Sequence, residues 1–180
     1  MQDPTQKAAE IIKNGGVVIY PTDTAYALGG LYDSPKAIKQ ILKLKNRKDE
    51  KFTLIASSLY QVEKYFKLDS CQKKIARKFW PGPVSIVVND KFAVRVPANK
   101  TAIKLAKLVG KPIIATSLNI SGQLPVYDLK KCKICEKLFI INQGVLLKKP
   151  ASAIVDCSKK IIIRPGNKKL NEQIRAALSS

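Results

Sequence analysis

Four stretches of the sequence place polar or charged side chains where a purely structural core would not need them. The first is YPTDTAYALGG, in which an apolar run passes into two threonines and an aspartate. Hydroxyls and carboxylates at the end of a strand are typical of ligand sites, because crevices form at strand ends. The alternative is an ordinary polar turn closed by side-chain bonds to the backbone. Gly29 and Gly30 then permit a close backbone approach or an unusual turn.

The second stretch, LKLKNRKDEKF, brings Lys45, Arg47 and Lys51 together where a helix ends and a strand begins. Such a cluster can hold a polyphosphate, since arginine gives bidentate geometry and lysine a point charge. The simpler explanation is that these cations complement the negative end of the helix dipole.

The third stretch, IIATSLNISG, ends an apolar strand in the short polar residues Ser117, Asn119 and Ser121, followed by a glycine. Hydroxyls, an amide and backbone N–H groups in such a segment can line a phosphate or base pocket. A capped turn is the structural alternative.

The fourth feature is a pair of arginines inside apolar strands, Arg95 in AVRVP and Arg164 in IIIRPG. A buried arginine without a counter-charge costs about 3 to 5 kcal/mol, so each must meet an anion. That anion could be a ligand or an internal carboxylate such as Asp23 or Asp156.

The elements that must position these residues follow from the apolar periodicity. Helices are predicted for residues 5–14, DSPKAIKQILKLKN, LYQVEKYF, SCQKKIARKFW, KTAIKLAKLVG, the cysteine-containing DLKKCKICEKLF, and NEQIRAAL. Strands are predicted for GVVIYP, FTLIAS, PGPVSIVV, KFAVRVP, IIATS, SAIVD and KKIIIRPG, with a tight turn at Asn89 and Asp90. Helices and strands alternate while some neighbouring strands look like hairpins. The pattern predicts one α/β or α+β domain over residues 1–180, built on a twisted mixed sheet.

Composition narrows the chemistry. The chain has no histidine, which removes Ser-His-Asp triads, Cys-His pairs and histidine zinc sites. The phosphate-loop, GxGxxG, kinase and HExxH motifs are also missing, so any nucleotide must bind on another scaffold. Cys132 and Cys135 form a lone CKIC with too few ligands for a structural zinc site, and we expect no tightly bound metal held by the protein.

The 33 Lys and Arg residues outnumber the 13 acidic residues, for a net charge of +20. This excess predicts attraction to polyanions such as nucleotides or tRNA. No apolar stretch is long enough to span a bilayer, and the N-terminus lacks the pattern of a signal peptide. We therefore expect a soluble, cytoplasmic protein with no membrane partner.

Taken in order, these segments resemble the YrdC family of L-threonylcarbamoyl-AMP synthases. YPTDTAYALG is similar to the family's YPT-[DE]-T-x-YGLG, LKNRKDEK to its KxR segment, WPGPVSIVV to its WPGP-[VL]-T strand, and VRVP to its RxP strand. ATSLNISG is similar to its S-x-N-x-SG motif, ASAIVD to its STIVD strand, and IIIRPG to its RxG close. Each motif alone is weak, but seven in the same order and at similar spacing are specific.

The resemblance implies an α/β domain with a twisted mixed sheet, flanking helices and a large, basic, concave pocket, in the short single-domain form of the family. It implies condensation of L-threonine, bicarbonate and ATP into L-threonylcarbamoyl-AMP with release of pyrophosphate, the first step of tRNA threonylcarbamoyladenosine modification. Mg²⁺ would accompany ATP, and a separate threonylcarbamoyl transferase complex would use the product. Affinity for tRNA or other RNA is implied as well.

The resemblance also implies the site residues. The catalytic cations would be those of the KxR segment, Lys45, Arg47 and Lys51. ATP would be bound by Lys45, Arg47, Ser117, Asn119, Ser121 and Arg164. The threonine and carbamate end would be formed by Thr22, Thr24, Tyr26, Lys51 and Arg95.

The chain departs from the family pattern at several positions, and two other functions stay open. The departures are Ala25, Ala27, Lys48, Leu118 and Ala153; at Ala27 a methyl group stands where glycine is usual and could tighten the pocket. One open alternative is a relative of the same fold with another acceptor, as in hydrogenase maturation factors or YciO. The other is an RNA-binding protein without catalysis.

Overall fold

Two mixed β-sheets form the centre of the computed structural model, which describes residues 3–132 and 137–179. Their strands are β1 Val18–Pro21, β2 Tyr26–Gly29, β3 Phe52–Ile55, β4 Val84–Val87, β5 Phe92–Arg95, β6 Ile113–Ile114, β7 Thr116–Ser117, β8 Phe139–Ile140, β9 Ala153–Asp156 and β10 Ile161–Arg164. The smaller sheet has the order β7-β2-β1-β8, and the larger has the order β10-β9-β4-β5-β3-β6.

Among the described strands, three hairpins and three parallel pairings make the sheets mixed. The pairs β1/β2, β4/β5 and β9/β10 are antiparallel neighbours, whereas β1/β8, β3/β5 and β4/β9 are parallel. The Asn89 side chain closes the β4/β5 turn by accepting from the backbone N–H groups of Lys91 and Phe92. The predicted mixed sheet with hairpins and a tight turn at Asn89 is therefore confirmed.

The two sheets share one continuous piece of chain. β6 pairs with β3 in the larger sheet, and β7 pairs with β2 in the smaller one, with only Ala115 between them. The bridge between Leu31 and Ile113 ties the same region together. The segment that follows Ser117 is consequently anchored to both sheets.

Helices cover the sheets, and their ends carry the expected signals. They are α1 Pro4–Lys13, α2 Pro35–Lys45, α3 Leu59–Tyr65, α4 Ser70–Phe79, α5 Lys100–Val109 and α6 Lys168–Ser179. The N-cap side chains of Asp3, Ser34 and Asn99 accept backbone N–H groups of the first turn. Gly110 ends α5 in the left-handed conformation at φ 87°. Within the described ranges, no helix is long and apolar enough to cross a bilayer.

The described core falls into three apolar clusters, which the buried strands separate. Ile19 and Leu28 face the cluster beneath α2, while Val18 and Tyr20 face the cluster beneath α1 and α5. A third cluster packs α4 and α6 against β4 and β9. Because β1 is buried on both faces, its sequence is a continuous apolar run, as its pattern predicted.

The glycines of YALGG serve the packing of the core. A Cβ atom on Gly29 would lie 2.4 Å from Cε1 of Tyr20, and one on Gly30 would lie 2.9 Å from Cβ of Ala37 on α2. Neither residue lines the cavity described below. The close approach that the sequence suggested is therefore that of the Tyr20 ring and α2.

Some local predictions are wrong or incomplete. β2 was not predicted as a strand, because Ala and Gly have low strand propensity. The helix predicted over DLKKCKICEKLF is wrong where the chain is described: Leu129–Lys131 is a single 3-10 turn, and Phe139–Ile140 pairs in parallel with β1. Cys135 lies outside the described residues, and Cys132 is a free thiol.

Candidate functional site

A cavity of about 820 Å³ lies against strands of both sheets and brings the sequence-predicted residues together. Its volume is that of a site for a nucleotide-sized molecule. All eleven candidates line it, although they come from five distant parts of the chain: Thr22, Thr24, Tyr26, Lys45, Arg47, Lys51, Arg95, Ser117, Asn119, Ser121 and Arg164.

The wall of the cavity carries a large excess of positive charge. Eight Lys or Arg residues and two aspartates, Asp90 and Asp156, line it. Five of these cations were site candidates from the sequence, three as the cluster after α2 and two as strand arginines; Lys91, Lys149 and Lys159 were not. Like charges converging on a concave surface favour an anionic ligand, because they repel one another until a counter-charge enters.

Lys45, the last residue of α2, is buried in this wall with 3% of its surface exposed. Its Nζ donates to the backbone oxygen of Ser117 at 2.6 Å and to the backbone oxygen and Oδ1 of Asn119, both at 2.9 Å. Burial and the nearby charge of Arg47 lower the pKa of Lys45 to about 8. The amine is therefore still mostly protonated at pH 7.

The segment after β7 is held by a network of side-chain bonds. The Ser117 hydroxyl donates to Oδ1 of Asn119 at 2.6 Å, and Nδ2 of Asn119 donates to the backbone oxygen of Gln123 at 2.5 Å. The backbone N–H of Ser121 donates to the backbone oxygen of Lys45 at 2.9 Å. The segment is thus a capped turn that also lines the cavity.

Arg47 lies two residues beyond the helix end, on a short turn. Its Nη2 donates to Oδ2 of Asp49 at 2.9 Å and to the backbone oxygen of Lys51 at 2.5 Å. Its guanidinium carbon lies 5.5 Å from the centre of the Phe52 ring. The backbone N–H of Lys51 and the Arg47 guanidinium lower the pKa of Asp49, so the turn keeps its carboxylate charged.

Arg95 is paired with an internal carboxylate, which was one of the two explanations that the sequence left open. Nη1 of Arg95 donates to Oδ1 of Asp23 at 2.5 Å, and the two side chains are only 4% and 7% exposed. The other carboxylate oxygen of Asp23 accepts from the backbone N–H of Ala98. Among the described residues, Nε of Arg95 is buried without a hydrogen-bond partner.

Arg164 stands at the exposed edge of the cavity, on β10. Its Nε donates to the backbone oxygen of Ser152 at 2.9 Å, and its Nη2 donates to the Ser152 hydroxyl at 3.0 Å. The surrounding wall removes water from the guanidinium, and this together with the charge of Arg95 lowers the pKa of Arg164. Ser152 was not predicted as a site residue, although it is the second residue of the ASAIVD segment.

The turn between β1 and β2 is closed by Thr22. Its hydroxyl donates to the backbone oxygen of Ala25 at 2.7 Å and accepts the backbone N–H groups of Thr24 and Ala25, each at 3.2 Å. The hydroxyls of Thr22 and Thr24 lie 3.1 Å apart. A polar turn, the structural alternative for this stretch, is therefore present, and the binding role of both threonines stays a prediction.

Tyr26 has its hydroxyl in the protein interior. The hydroxyl donates to the backbone oxygen of Gly144 at 2.8 Å and accepts the backbone N–H of Gln143 at 2.9 Å. The side chain is fully buried in the core cluster beneath α2. Tyr26 lines the cavity, but its hydroxyl supports the 142–144 turn, and its role toward threonine stays a prediction.

Acidic residues are sparse near the cavity. Within residues 3–132 and 137–179, no three His, Cys, Asp or Glu side chains lie together as a metal site held by the protein would require. One carboxylate oxygen of Asp156, Oδ1, already accepts hydrogen bonds from the Ser158 hydroxyl and the Lys159 backbone N–H.

Comparisons with known proteins show which sequences this chain is similar to. A family model described as Sua5_yciO_yrdC, telomere recombination, matches residues 10–166. A threonylcarbamoyl-AMP synthase of Klebsiella pneumoniae is 35% identical over 135 residues, which cover 66% of this chain and 71% of that protein.

Two solved structures are also similar. The structure of P. abyssi Sua5 complexed with L-threonine has a TM-score of 0.84 at 27% identity and covers 97% of this chain, which spans 58% of that longer protein. The structure of E. coli YciO has a TM-score of 0.79 at 24% identity and covers 93% of this chain and 92% of that one. At that identity the second likeness concerns the fold alone.

Proposed function

This chain belongs to the Sua5, YciO and YrdC family, and on that basis we propose that it makes L-threonylcarbamoyl-AMP from L-threonine, bicarbonate and ATP, releasing pyrophosphate. Curated relatives are named threonylcarbamoyl-AMP synthase, and a similar structure contains L-threonine. The observation that carries the proposal is the convergence of eleven candidate side chains from five segments on one cation-rich cavity.

The chemistry suits a site without histidine. An oxygen of the threonine carbamate attacks the α-phosphorus of ATP, the new P–O bond forms, and the bond to pyrophosphate breaks. The reaction is promoted mainly by positioning and by neutralising charge on the phosphates. Bicarbonate or solvent can take the proton that the threonine amine must lose. ATP enters as its magnesium complex, which is substrate.

The cavity suggests how the roles are divided. Arg47 and Lys51 lie on the turn after α2 and would neutralise the polyphosphate together with Arg164, which reaches the cavity from β10. Ser117, Asn119 and Ser121 would contact the nucleotide through the segment after β7. The threonine and carbamate would lie toward the turn that contains Thr22 and Thr24. Tyr26 and Arg95 would form part of the cavity wall at that end.

We extend the proposal to the organisation of the chain and to its partners. Residues 1–180 would act as one domain, because the β1/β2 turn near one end and Arg164 near the other line the same cavity. The net charge of +20 favours contact with tRNA, and the product would pass to a threonylcarbamoyl transferase complex. Such an enzyme would work in the cytoplasm, where ATP and tRNA are available.

The test is direct detection of the product. Purified protein is incubated with ATP, Mg²⁺, bicarbonate and L-threonine, and L-threonylcarbamoyl-AMP is sought by mass spectrometry, with L-serine and bicarbonate-free reactions as controls. We expect a product that depends on both threonine and bicarbonate. Arg47→Ala should lower its formation about 100-fold or more. Arg175→Ala, an exposed arginine on α6 outside the cavity, should leave it unchanged.

The alternatives give different results in the same assay. Absence of the product with ATP binding intact would point to another acceptor, as in a YciO-like protein. RNA retention that Arg47→Ala weakens, in a protein that shows no ATP chemistry, would favour a binding protein that uses the basic cavity. The +20 charge predicts that such retention falls steeply as salt is raised.

A further inference from the structure

Lys45 has no donor left for a ligand. A protonated lysine amine carries three N–H donors and no acceptor. Nζ of Lys45 makes three hydrogen bonds of 2.6 to 2.9 Å, all to oxygens of Ser117 and Asn119. With 3% of the residue exposed, the amine is enclosed by these partners.

The bonds from Lys45 also fix the orientation of the Asn119 amide. Oδ1 of Asn119 accepts from Lys45 and from the Ser117 hydroxyl, so the carbonyl side of the amide faces the helix end. Nδ2 then points the other way and donates to Gln123. A backbone hydrogen bond also joins this segment to the end of α2, since the Ser121 N–H donates to the Lys45 carbonyl. Lys45 thus holds the segment 117–121 by its side chain and its backbone together.

Arg47 differs from Lys45 in all these respects. Its side chain is 22% exposed, and its hydrogen bonds within the described residues come from Nη2 alone. Nε and Nη1 of Arg47 therefore remain available to an anion. The KxR pattern groups the two cations together, whereas the geometry separates them: the Lys45 amine is fully hydrogen-bonded within the protein, and the Arg47 guanidinium keeps donors for a ligand.

We propose that Lys45 is a positioning residue, which fixes the 117–121 segment and the Asn119 amide in the cavity wall, and that it does not contact the phosphates. This inference rests on the proposed function, since it concerns the nucleotide site of the same cavity. Phosphate contacts are left to Arg47, Lys51 and Arg164. The positive charge of Lys45 acts through the three oxygens that it holds.

A double-mutant cycle on ATP affinity tests this assignment. Lys45→Met and Asn119→Ala should each weaken ATP binding, measured by calorimetry, by about 10- to 100-fold, the range for losing hydrogen bonds to a charged group. Both changes release the same segment, so their effects should not add. The double variant should bind ATP no more than about threefold more weakly than whichever single variant binds ATP less tightly. The proposal would be overturned if the loss of ATP affinity in the double variant equalled the product of the two single losses.

The salt dependence of ATP affinity separates positioning from direct contact. A cation that touches phosphate makes binding fall as salt is raised, because salt screens exposed charges. Lys51→Met, the matched lysine on the open side of the cavity, should flatten the salt dependence, and Lys45→Met should leave it as in the unchanged protein. A flatter dependence in Lys45→Met would overturn the proposal.

Hydrogen exchange gives a readout that needs no ligand. Lys45→Met should speed exchange of the backbone amides of 117–123 while amides in α5 keep their protection. If Lys45→Met does not fold, Lys45→Gln, which keeps two donors, takes its place with a smaller expected change. Unchanged exchange in 117–123 would overturn the proposal. A protein that binds ATP and passes these tests but makes no product would contradict the proposed function and leave the role of Lys45 standing.

Discussion

Replacing Asp23 by alanine should destabilise the protein strongly, because it leaves the Arg95 guanidinium buried without its counter-charge. The Asp23 and Arg95 side chains are 7% and 4% exposed and lie 2.5 Å apart. Nε of Arg95 has no hydrogen-bond partner in the described part of the chain, and Arg95 already lowers the pKa of Arg164 as a neighbouring like charge. No second carboxylate is bonded to Arg95 there to replace Asp23.

The expected loss is about 3 to 5 kcal/mol, the range for breaking a buried ion pair from one side. For a chain of this length, each kcal/mol lowers the melting temperature by about 2 to 4 °C, so Asp23→Ala should lower it by roughly 6 to 20 °C. Thermal unfolding followed by circular dichroism measures this shift. Urea unfolding of the same variant gives the free energy directly.

Two further variants make the result decisive. Asp33→Ala breaks the pair with Lys111, whose side chains are 44% and 32% exposed, and should cost no more than about 1 kcal/mol. Asp23→Ala combined with Arg95→Met removes both buried charges and should recover most of the lost stability. The reasoning is refuted if Asp23→Ala is no worse than Asp33→Ala, or if the double variant is less stable than Asp23→Ala alone.

Three other predictions concern Lys45, Gly29 and Tyr26. Raising the pH from 7 to 9 should weaken ATP binding with a midpoint near 8, because Lys45 loses the proton that serves its third hydrogen bond. Between pH 8 and 10.5 the unfolded chain holds more protons on Lys45 than the folded one, so the contribution of Lys45 to the stability of the fold increases as pH rises. Thermal melts over the same pH range should therefore exclude unfolding as the cause of the weaker ATP binding. Gly29→Ala should cost about 1 to 3 kcal/mol by urea unfolding, because its methyl group would press on the Tyr20 ring at 2.4 Å. Tyr26→Phe should cost about 1 to 3 kcal/mol by leaving the 142–144 turn without the hydroxyl, while product formation changes little.

Each of these predictions has a matched control. Lys45→Met should remove the inflection near pH 8, and an inflection that persists would assign it to another group. Gly144→Ala meets open space at φ 73°, so it reports backbone strain alone and should cost less than Gly29→Ala. Tyr60→Phe alters an exposed hydroxyl and should be neutral. A large loss of activity in Tyr26→Phe with unchanged stability would show that its hydroxyl serves the ligand.

The long amphipathic elements could be predicted from the sequence because local signals decide them. Apolar spacing and the caps Ser34 and Asn99 define α2 and α5, and Gly110 ends α5 where it was expected. The family motifs then identified eleven residues that lie on one cavity, although no local signal joins Thr22 to Arg164. Motif order carried that information where periodicity could not.

What could not be predicted depends on contacts between distant residues. β8 exists because Phe139 and Ile140 pair with β1, more than 100 residues earlier, and nothing local separates them from a helix. The choice between a ligand and Asp23 as the partner of Arg95 required three-dimensional distances. The different hydrogen-bond partners of Lys45 and Arg47 also required three-dimensional distances, since in the sequence both residues are simply cations near one helix end.

The single residue between β6 and β7 determines where this protein can accept added sequence. Ala115 is the only spacer between a strand of the larger sheet and a strand of the smaller one, so one more residue there would turn the side chains of Thr116 and Ser117 to opposite faces. Leu124, by contrast, is 87% exposed beyond the Asn119–Gln123 bond, and a longer loop there adds only a small closure entropy. Length variation among active homologues should therefore gather beside Leu124 and be absent at Ala115.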